Sequence, residues 1–569
     1  MKQFRVKILL AGFLLVLVAC SRDYEAIPLE KVTIEYVFDK DDSLGTYANK
    51  FLNSVYSKLP GGYNRVGGDL LDAASDDAIS GFTGTTTSVS QLATGAYTSY
   101  ATIPEETPWG SAYAAIRAAS IFVSNINVSP VKETLPNGYS IRYAWKSEAR
   151  FIRALFYFEL LKRYGGIPLM GDKVRELGDD VQVPRSSFAD CVQYIVSECD
   201  AIKDSLRPNP IAAPELNSHR ATRGAALALK ARVLLYAASP LFNGQNIDPT
   251  NALTGYANYD KARWKQASDA ARALIDEHSF SLLPNSKDVF ITQNNKEVIF
   301  FRQGGNTTEI ETTNGPVGFA KVARGRTNPT QELIDAFPTD AGLPITDPAS
   351  GYNPIDPYAH RDPRLTSSIL YNGARWLNTE IQTFEGGQHR PGGVEPGTKT
   401  GYYMRKFMGN FENATEYSNV PHDWIFLRYT EVLLNFAEAE NEYNGPTAEV
   451  YQVLKDLRAR AGIAAGDNGM YGLREGLSLE DMRNVIRNER RIELAFEEHR
   501  FWDIRRWKIA EQVYNTALHG MSIIKNGPDL TYNVVDVFKP VFTAPKMYLY
   551  PIPYDEVVKN DNMTQNPGW

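Results

Sequence analysis

Apolar residues recur at helical spacing through much of the chain. Within residues 145–164, Phe151, Ala154, Leu155, Phe158 and Leu161 fall three or four positions apart and line one helix face. Gly165-Gly166 and Pro168 then stop that helix. Comparable stripes predict helices over 46–59, 90–101, 112–126, 186–206, 222–238 and 259–279, with Ser186-Ser187 as an N-cap candidate. Short connectors join them, as in stacked helical hairpins, although no clean repeat of about 34 residues is visible. From 280 to 420 Gly, Pro, Asn and Thr dominate, with strand-like runs such as 297–301 and loops of the functional kind at 324–328 and 385–396. Helical spacing returns at Ile425, with Tyr429, Val432, Leu433, Phe436 and Ala437 as the stripe and 447–461 as its partner. The expected fold is predominantly α-helical, with an irregular, loop-rich face and a few short strands.

Residues 487–507 are the densest part of the pattern. More than half are charged, yet the aromatics are too many for a solvated tail. At 100° per residue Met482, Val485, Ile492 and Phe496 share one helix face, and Glu489 falls inside that apolar stripe. A carboxylate there is costly to bury unless a cation pairs with it. Arg500, Arg505 and Arg506 are the expected partners, folding back from the end of the segment, and coil is expected after it.

The N-terminus is a separate object. Lys2, Arg5 and Lys7 precede an apolar run over 8–18 that is too short for a membrane span, the form of a secretory signal. It ends Leu17-Val18-Ala19-Cys20, similar to the bacterial lipobox, which makes Cys20 the expected lipidation site. The expected organisation is a signal over 1–19, a lipidated tether over 20–25 and one unit over 26–569. That unit divides into a helical part (26–279), a loop-rich insertion (280–420) and a C-terminal helical part (421–569). The 569-residue chain has a net charge of −7, and losing 1–19 removes three more basic residues, which argues against nucleic acid as a partner. Cys191 and Cys199, eight positions apart on one helix, are separated by about 12 Å of helix rise, beyond disulfide reach, and read as core thiols.

Several stretches match one known pattern in order. Glu148-Ala149-Arg150-Phe151-Ile152-Arg153-Ala154-Leu155 with Tyr164-Gly165-Gly166-Ile167-Pro168, Asn328-Pro329-Thr330-Gln331-Glu332-Leu333, Arg361-Asp362-Pro363-Arg364-Leu365 and Gly401-Tyr402-Tyr403-Met404-Arg405-Lys406 open it. Arg428-Tyr429-Thr430-Glu431, Arg458-Ala459-Arg460-Ala461-Gly462, 489–507, Pro551-Ile552-Pro553 and 565–569 complete it. Together with the lipobox, this set resembles the SusD/RagB family of outer-membrane lipoproteins. The resemblance implies tetratricopeptide-like hairpins carrying an irregular ligand face. It also implies a lipid-anchored, cell-surface protein that binds oligosaccharide, or in some relatives peptide, and passes it to a SusC-like TonB-dependent transporter.

A neutral sugar presents an apolar C–H face and hydroxyl edges, so its site needs an aromatic platform with amide, acid or guanidinium groups beside it. Trp376, flanked by Arg375 and Asn378 in a loop-rich segment, is the leading platform candidate. Trp109 with Tyr100, in a Pro-flanked loop, is the second; packing onto the following helix is its alternative. Asp76 and Asp77 are candidate hydroxyl acceptors, and Phe384 is a lesser platform. Trp145, Trp424, Trp502, Trp507 and Trp569 lie in or beside the matching stretches and read as structural. His360 lacks partners at metal-ligand spacing. No HExxH, GxSxG, Walker loop or CxxC pair is present, so no catalytic residue, metal or cofactor is expected. The rival readings are a secreted glycoside hydrolase working through two carboxylates and a helical-repeat adaptor without a soluble ligand.

Overall fold

The structure, a computed structural model, describes residues 33–82, 86–176, 178–209, 219–319, 323–392 and 397–569. The signal, the tether and Cys20 lie outside these residues. Eleven of the helices serve as landmarks: α1 (Thr46–Tyr56), α2 (Ser88–Thr94), α3 (Trp109–Asn125), α4 (Ile141–Tyr164), α5 (Phe188–Ile202), α6 (Arg223–Ala238), α7 (Ala262–Ile275), α8 (Tyr429–Asn444), α9 (Ala448–Ala461), α10 (Leu479–Glu493) and α11 (His499–Arg506).

The helix starts follow capping chemistry. Ser187, Thr222, Thr447 and Ser478 each accept a backbone N–H of the first turn of α5, α6, α9 and α10. Consecutive helices then stack, α3 on α4, α4 on α5, α5 on α6 and α6 on α7. The stack does not end where helical spacing fails in the sequence. Helix α7 packs directly on α8, so 276–428 leaves the row of helices and returns to it, and α8 in turn carries α9 and α10. The apolar cluster is continuous from Val37 to Met563. The arrangement is the tetratricopeptide-like helical one, with few short strands. Cys191 and Cys199 are free thiols buried in α5.

The strands are short antiparallel pairs. β1 (Ala78–Ser80) pairs with β3 (Thr327–Pro329), and β2 (Val298–Arg302) pairs with β4 (Trp424–Arg428). Residues 425–428, expected to open a helix, are therefore a strand, and α8 begins at Tyr429. The expected coil after α11 instead holds the longest ribbon, β5 (Leu518–Asn526) on β6 (Asp529–Phe538), closed by Gly527-Pro528 with Gly527 at φ +64°. Glycine at the first central position suits a type II′ hairpin turn.

Glu489 is 1% exposed, as its place in the stripe requires, but its partners differ from those expected. Arg364 reaches it at 2.5 Å and Arg458 at 3.0 Å. They belong to a connected network in which Arg364, Lys406, Arg428, Arg458 and Arg460 face Glu297, Asp362, Glu489, Glu493 and Glu497. The network ties α9 and α10 to Glu297 just before β2, to β4, to the start of the short helix over Pro363–Ser368 and to Lys406. Arg506 pairs instead with Glu438 and Asp503, and Arg505 lies over the Phe501 ring. Helix α10 ends at Glu493, and Phe496 and Glu498, both at φ +65°, turn the chain into α11. Phe496 is buried beyond that break, not on the helix face.

Candidate functional site

Most of the sequence candidates are structural. Trp376 is completely buried, donates its indole N–H to the Tyr417 hydroxyl at 2.9 Å and meets Phe411 edge-on. It caps the core and shows no ring face to solvent. Its neighbours Arg375 and Asn378 are exposed, but they bond to each other, and Arg375 also donates to Asn413 at 2.8 Å. Leu377 and Asn378 both adopt left-handed backbone, at φ +44° and +59°, in the tight link between 375–376 and 379–380.

Trp109 is also buried, packed between Tyr113 and Tyr164. This is the alternative packing onto its own helix. Tyr100 is 74% exposed and stacks on Tyr554 at 4.1 Å, so it does not form a site with Trp109. Asp76 and Asp77 are buried, and their carboxylates are engaged from the C-terminal segment. Arg500 grips Asp76 at 2.8 and 2.7 Å, while Arg491 reaches Asp76 at 2.9 Å and Asp77 at 2.6 Å. Burial pushes the Asp76 carboxyl up, and the two guanidiniums outweigh it and hold it well below the usual range. These aspartates fasten a loop; the second Asp77 oxygen has no hydrogen-bond partner among the described residues but is shut away from solvent, so neither residue is an open hydroxyl acceptor in the way expected. Phe384 is half-buried beneath the Lys525 ammonium.

What that fastened loop carries is the residue sequence reasoning missed. Immediately after β1, Phe82 is 37% exposed, with the Arg326 guanidinium 4.3 Å from its ring centre. Arg326 is itself fixed by Asp69 at 2.8 Å and by the Gly67 carbonyl, and Ser80 donates to the same Asp69 oxygen at 2.9 Å. Burial, countered by Arg326, leaves the Asp69 carboxyl raised to about 6.

Three loops meet beneath Phe82. A Cβ on Gly81 would lie 2.2 Å from the Gly325 carbonyl and 2.8 Å from that of Gly397, so the close approach requires glycine. Asn328 bridges the other two loops, donating to Gly325 O at 2.8 Å and accepting from Lys399 N at 2.9 Å. The Lys399 ammonium donates to the Phe82 carbonyl. Along the same loops Phe319 stacks on His389 at 4.8 Å, Gln388 donates to Gly318 O at 3.2 Å, and Arg324 is exposed. His389 is fixed by accepting Gln382 N–H at 2.9 Å, and Tyr403 donates to its carbonyl at 2.9 Å. Burial lowers its imidazole to about 4, so it is neutral near pH 7 and serves as a flat support for Phe319. One sequence signal marked Phe82, a lone aromatic inside the Gly/Thr run of 80–87.

Chemically, this face offers aromatic rings with amide and cationic side chains around them, and its nearest buried acid, Asp69, is already engaged. Among the described residues, no group of three or more His, Cys, Asp or Glu is placed to hold a metal ion. His360 is solvent-exposed beside Asp340. Among the same residues, no helix is long and apolar enough to cross a membrane.

A helical-repeat scaffold bearing an irregular, loop-built face defines the class. Two family profiles then match most of the chain: the SusD family over 296–569, and "Starch-binding associating with outer membrane" over 48–235. The chain belongs to the SusD/RagB family. It is 25% identical over its whole length to SusD-like protein P2 of Formosa agariphila, all of which is covered. A SusD-like protein of Bacteroides fragilis superposes with a TM-score of 0.77 at 26% identity, covering 95% of this chain and all of the other. A laminarin binding SusD-like protein (TM-score 0.64, 20% identity, 92% and 99% covered) and surface glycan-binding protein A of Bacteroides uniformis (0.62, 18%, 92% and 99%) share the fold.

Proposed function

We propose that this chain is a lipid-anchored cell-surface protein that captures a neutral oligosaccharide on the Phe82–Phe319 loop face and passes it to a SusC-like TonB-dependent transporter. The family description supports carbohydrate binding and outer-membrane association, and the names of two fold relatives support a glycan. The observation that carries the reading is Phe82, an aromatic ring held part-open by Arg326 over a glycine-packed meeting of three loops. A sugar's C–H face would lie on the ring while its hydroxyls reach Arg324, Gln388 and Arg326. Single-site affinity is modest, and the high local concentration of membrane-held partners compensates for it.

The test is electrophoretic retardation in gels containing a panel of soluble glycans, alongside reducing-sugar release. Retardation without release, lost in a Phe82→Ala variant of unchanged melting temperature, supports the proposal. Release of reducing sugar would favour a hydrolase instead. Retardation by no glycan, with binding of a peptide pool, would favour the peptide alternative; binding of neither would favour the adaptor. Purification from outer membranes tests the transporter partner, and a Cys20→Ser variant that still incorporates labelled palmitate would refute the anchor.

A further inference from the structure

A cavity elsewhere on the molecule shares no lining residue with the loop face. It encloses about 540 Å³ beside the β2–β4 ribbon, within the 300–1,000 Å³ range of small-ligand sites. Its floor is apolar, built from Phe280, Phe290 and Ile299, and Gln293 and Asn294 stand exposed at its rim.

The Phe280 ring is held in place from two sides. It stacks on Tyr429, and it rests on α6 where Gly224 has no side chain: a Cβ there would lie 2.5 Å from the ring. The same missing Cβ admits Asn209, whose Nδ2 is 2.8 Å from that point, so amide and ring are neighbours at the cavity wall. Both polar atoms of the Asn209 amide are shielded from solvent and have no hydrogen-bond partner among the described residues. An unpaired buried amide is unfavourable, and a turn of this one toward the cavity it lines would give it partners.

The chemistry of the walls narrows the occupant. An amide offers a donor and an acceptor side by side, which suits two adjacent hydroxyls, one accepting and one donating. The aromatic floor suits an apolar C–H face. The one acid at the rim, Asp423, is engaged by Gly304 N–H at 2.8 Å and lies within 3.5 Å of the Gln293 amide. Among the described lining residues the one lysine, Lys296, is exposed to solvent and there is no arginine, so no forked donor faces the floor to hold an anionic group.

We propose that this cavity is a second carbohydrate site that takes one or two pyranose residues of a neutral glycan, stacked on Phe280 with a vicinal hydroxyl pair on Asn209. It is independent of the loop face, and either site can fail without the other.

Saturation-transfer NMR with maltose, cellobiose, laminaribiose and xylobiose at millimolar concentration separates them. The proteins compared are the parent, Phe82→Ala, Phe280→Ala and Asn209→Ala. At least one disaccharide is expected to keep its signal in Phe82→Ala and to lose it at least fivefold in both cavity variants. Asn209→Ala removes an amide with no partner among the described residues, so its melting temperature stays level or rises while the signal falls. This variant keeps the test valid where Phe280→Ala is destabilised. The proposal is overturned if no disaccharide signal survives in Phe82→Ala, or if the surviving signal is undiminished in Asn209→Ala. Displacement of the sugar signal by trialanine, with Asn209-dependent signals of its own, would overturn it in favour of a peptide site.

Discussion

Replacing Glu489 by Gln tests whether the buried charge network holds the last helices to the scaffold. The substitution preserves shape and removes one charge among carboxylates and cations that are almost completely buried. Burial raises the Glu489 carboxyl, but Arg364 and Arg458 outweigh it and keep it below the ordinary range, so it is ionised in the native state. After substitution Arg364 keeps Asp362 at 2.7 Å and Glu493 at 3.1 Å, whereas Arg458 keeps only the carbonyls of Gly342 and Tyr471. Breaking a buried pair costs about 3–5 kcal/mol; Gln retains one acceptor oxygen, which places the loss at about 2–4 kcal/mol. At about 2.1 cal/mol/K per residue, a chain of this length has an unfolding entropy of about 1.2 kcal/mol/K, so melting should fall by about 2–3 °C. Scanning calorimetry of the parent, Glu489→Gln and Glu449→Gln reads this directly. Glu449 makes a comparable bidentate contact with Arg272, but the two side chains are 55% and 36% exposed, so its loss should hardly move the transition. Glycan affinity should be unchanged in both variants. A Glu489→Gln protein melting within 0.5 °C of the parent, or no lower than Glu449→Gln, would refute the reasoning.

Trp376→Phe removes the indole N–H that Tyr417 accepts; a loss of about 1–2 kcal/mol in urea unfolding is expected, with glycan retardation unaltered. Gly81→Ala drives a methyl group into the Gly325 carbonyl and should weaken glycan binding by tenfold or more, measured on affinity gels, while the far-UV spectrum stays native. Acid should destabilise the protein in a defined window. Burial opposes ionisation of Glu159 and Glu438, but Lys162 and Arg163 at the first and Arg506 at the second lower both to about 2. Because these folded values lie below the unfolded one, near 4.5, the stabilisation is complete above about pH 4.5 and is lost as pH falls toward 2. It amounts to up to about 3 kcal/mol for each group. A melting temperature that stays flat from pH 5 to pH 3 would contradict this.

The helical stack was legible because its signals are local. Stripes at spacing three and four placed α4, α5, α6 and α9 within a few residues, with Ser186-Ser187 marking the start of α5. The burial of Glu489 was readable for the same reason. Its partners were not, since Arg364 lies 125 residues away and no local spacing encodes that pairing. The β5–β6 ribbon left a signal in Gly527-Pro528, the two residues at which it turns. For the binding face, composition located the loops but not the direction of each ring. Trp376 lies in such a loop and faces inward onto Tyr417 and Phe411, 41 and 35 positions on; Phe82 lies in another and stays partly open, with Arg326, 244 positions on, over its ring. Asp76 and Asp77 had the composition of an exposed turn until the C-terminal arginines covered them.

The clasp between Asp76 and Arg500 spans 424 residues, and the C-terminal segment is held a second time where Arg185 meets Asn566, 381 positions on. Synthesis runs from the N-terminus, so the loop bearing Phe82 is made long before the guanidiniums that fix it. Contacts at such separations are slow to form, and in incomplete chains these carboxylates stay uncovered and unpaired in the meantime. The binding face is thus among the last parts of the molecule to set, and a chain shortened at its C-terminus would lose a site built almost wholly from residues it still contains.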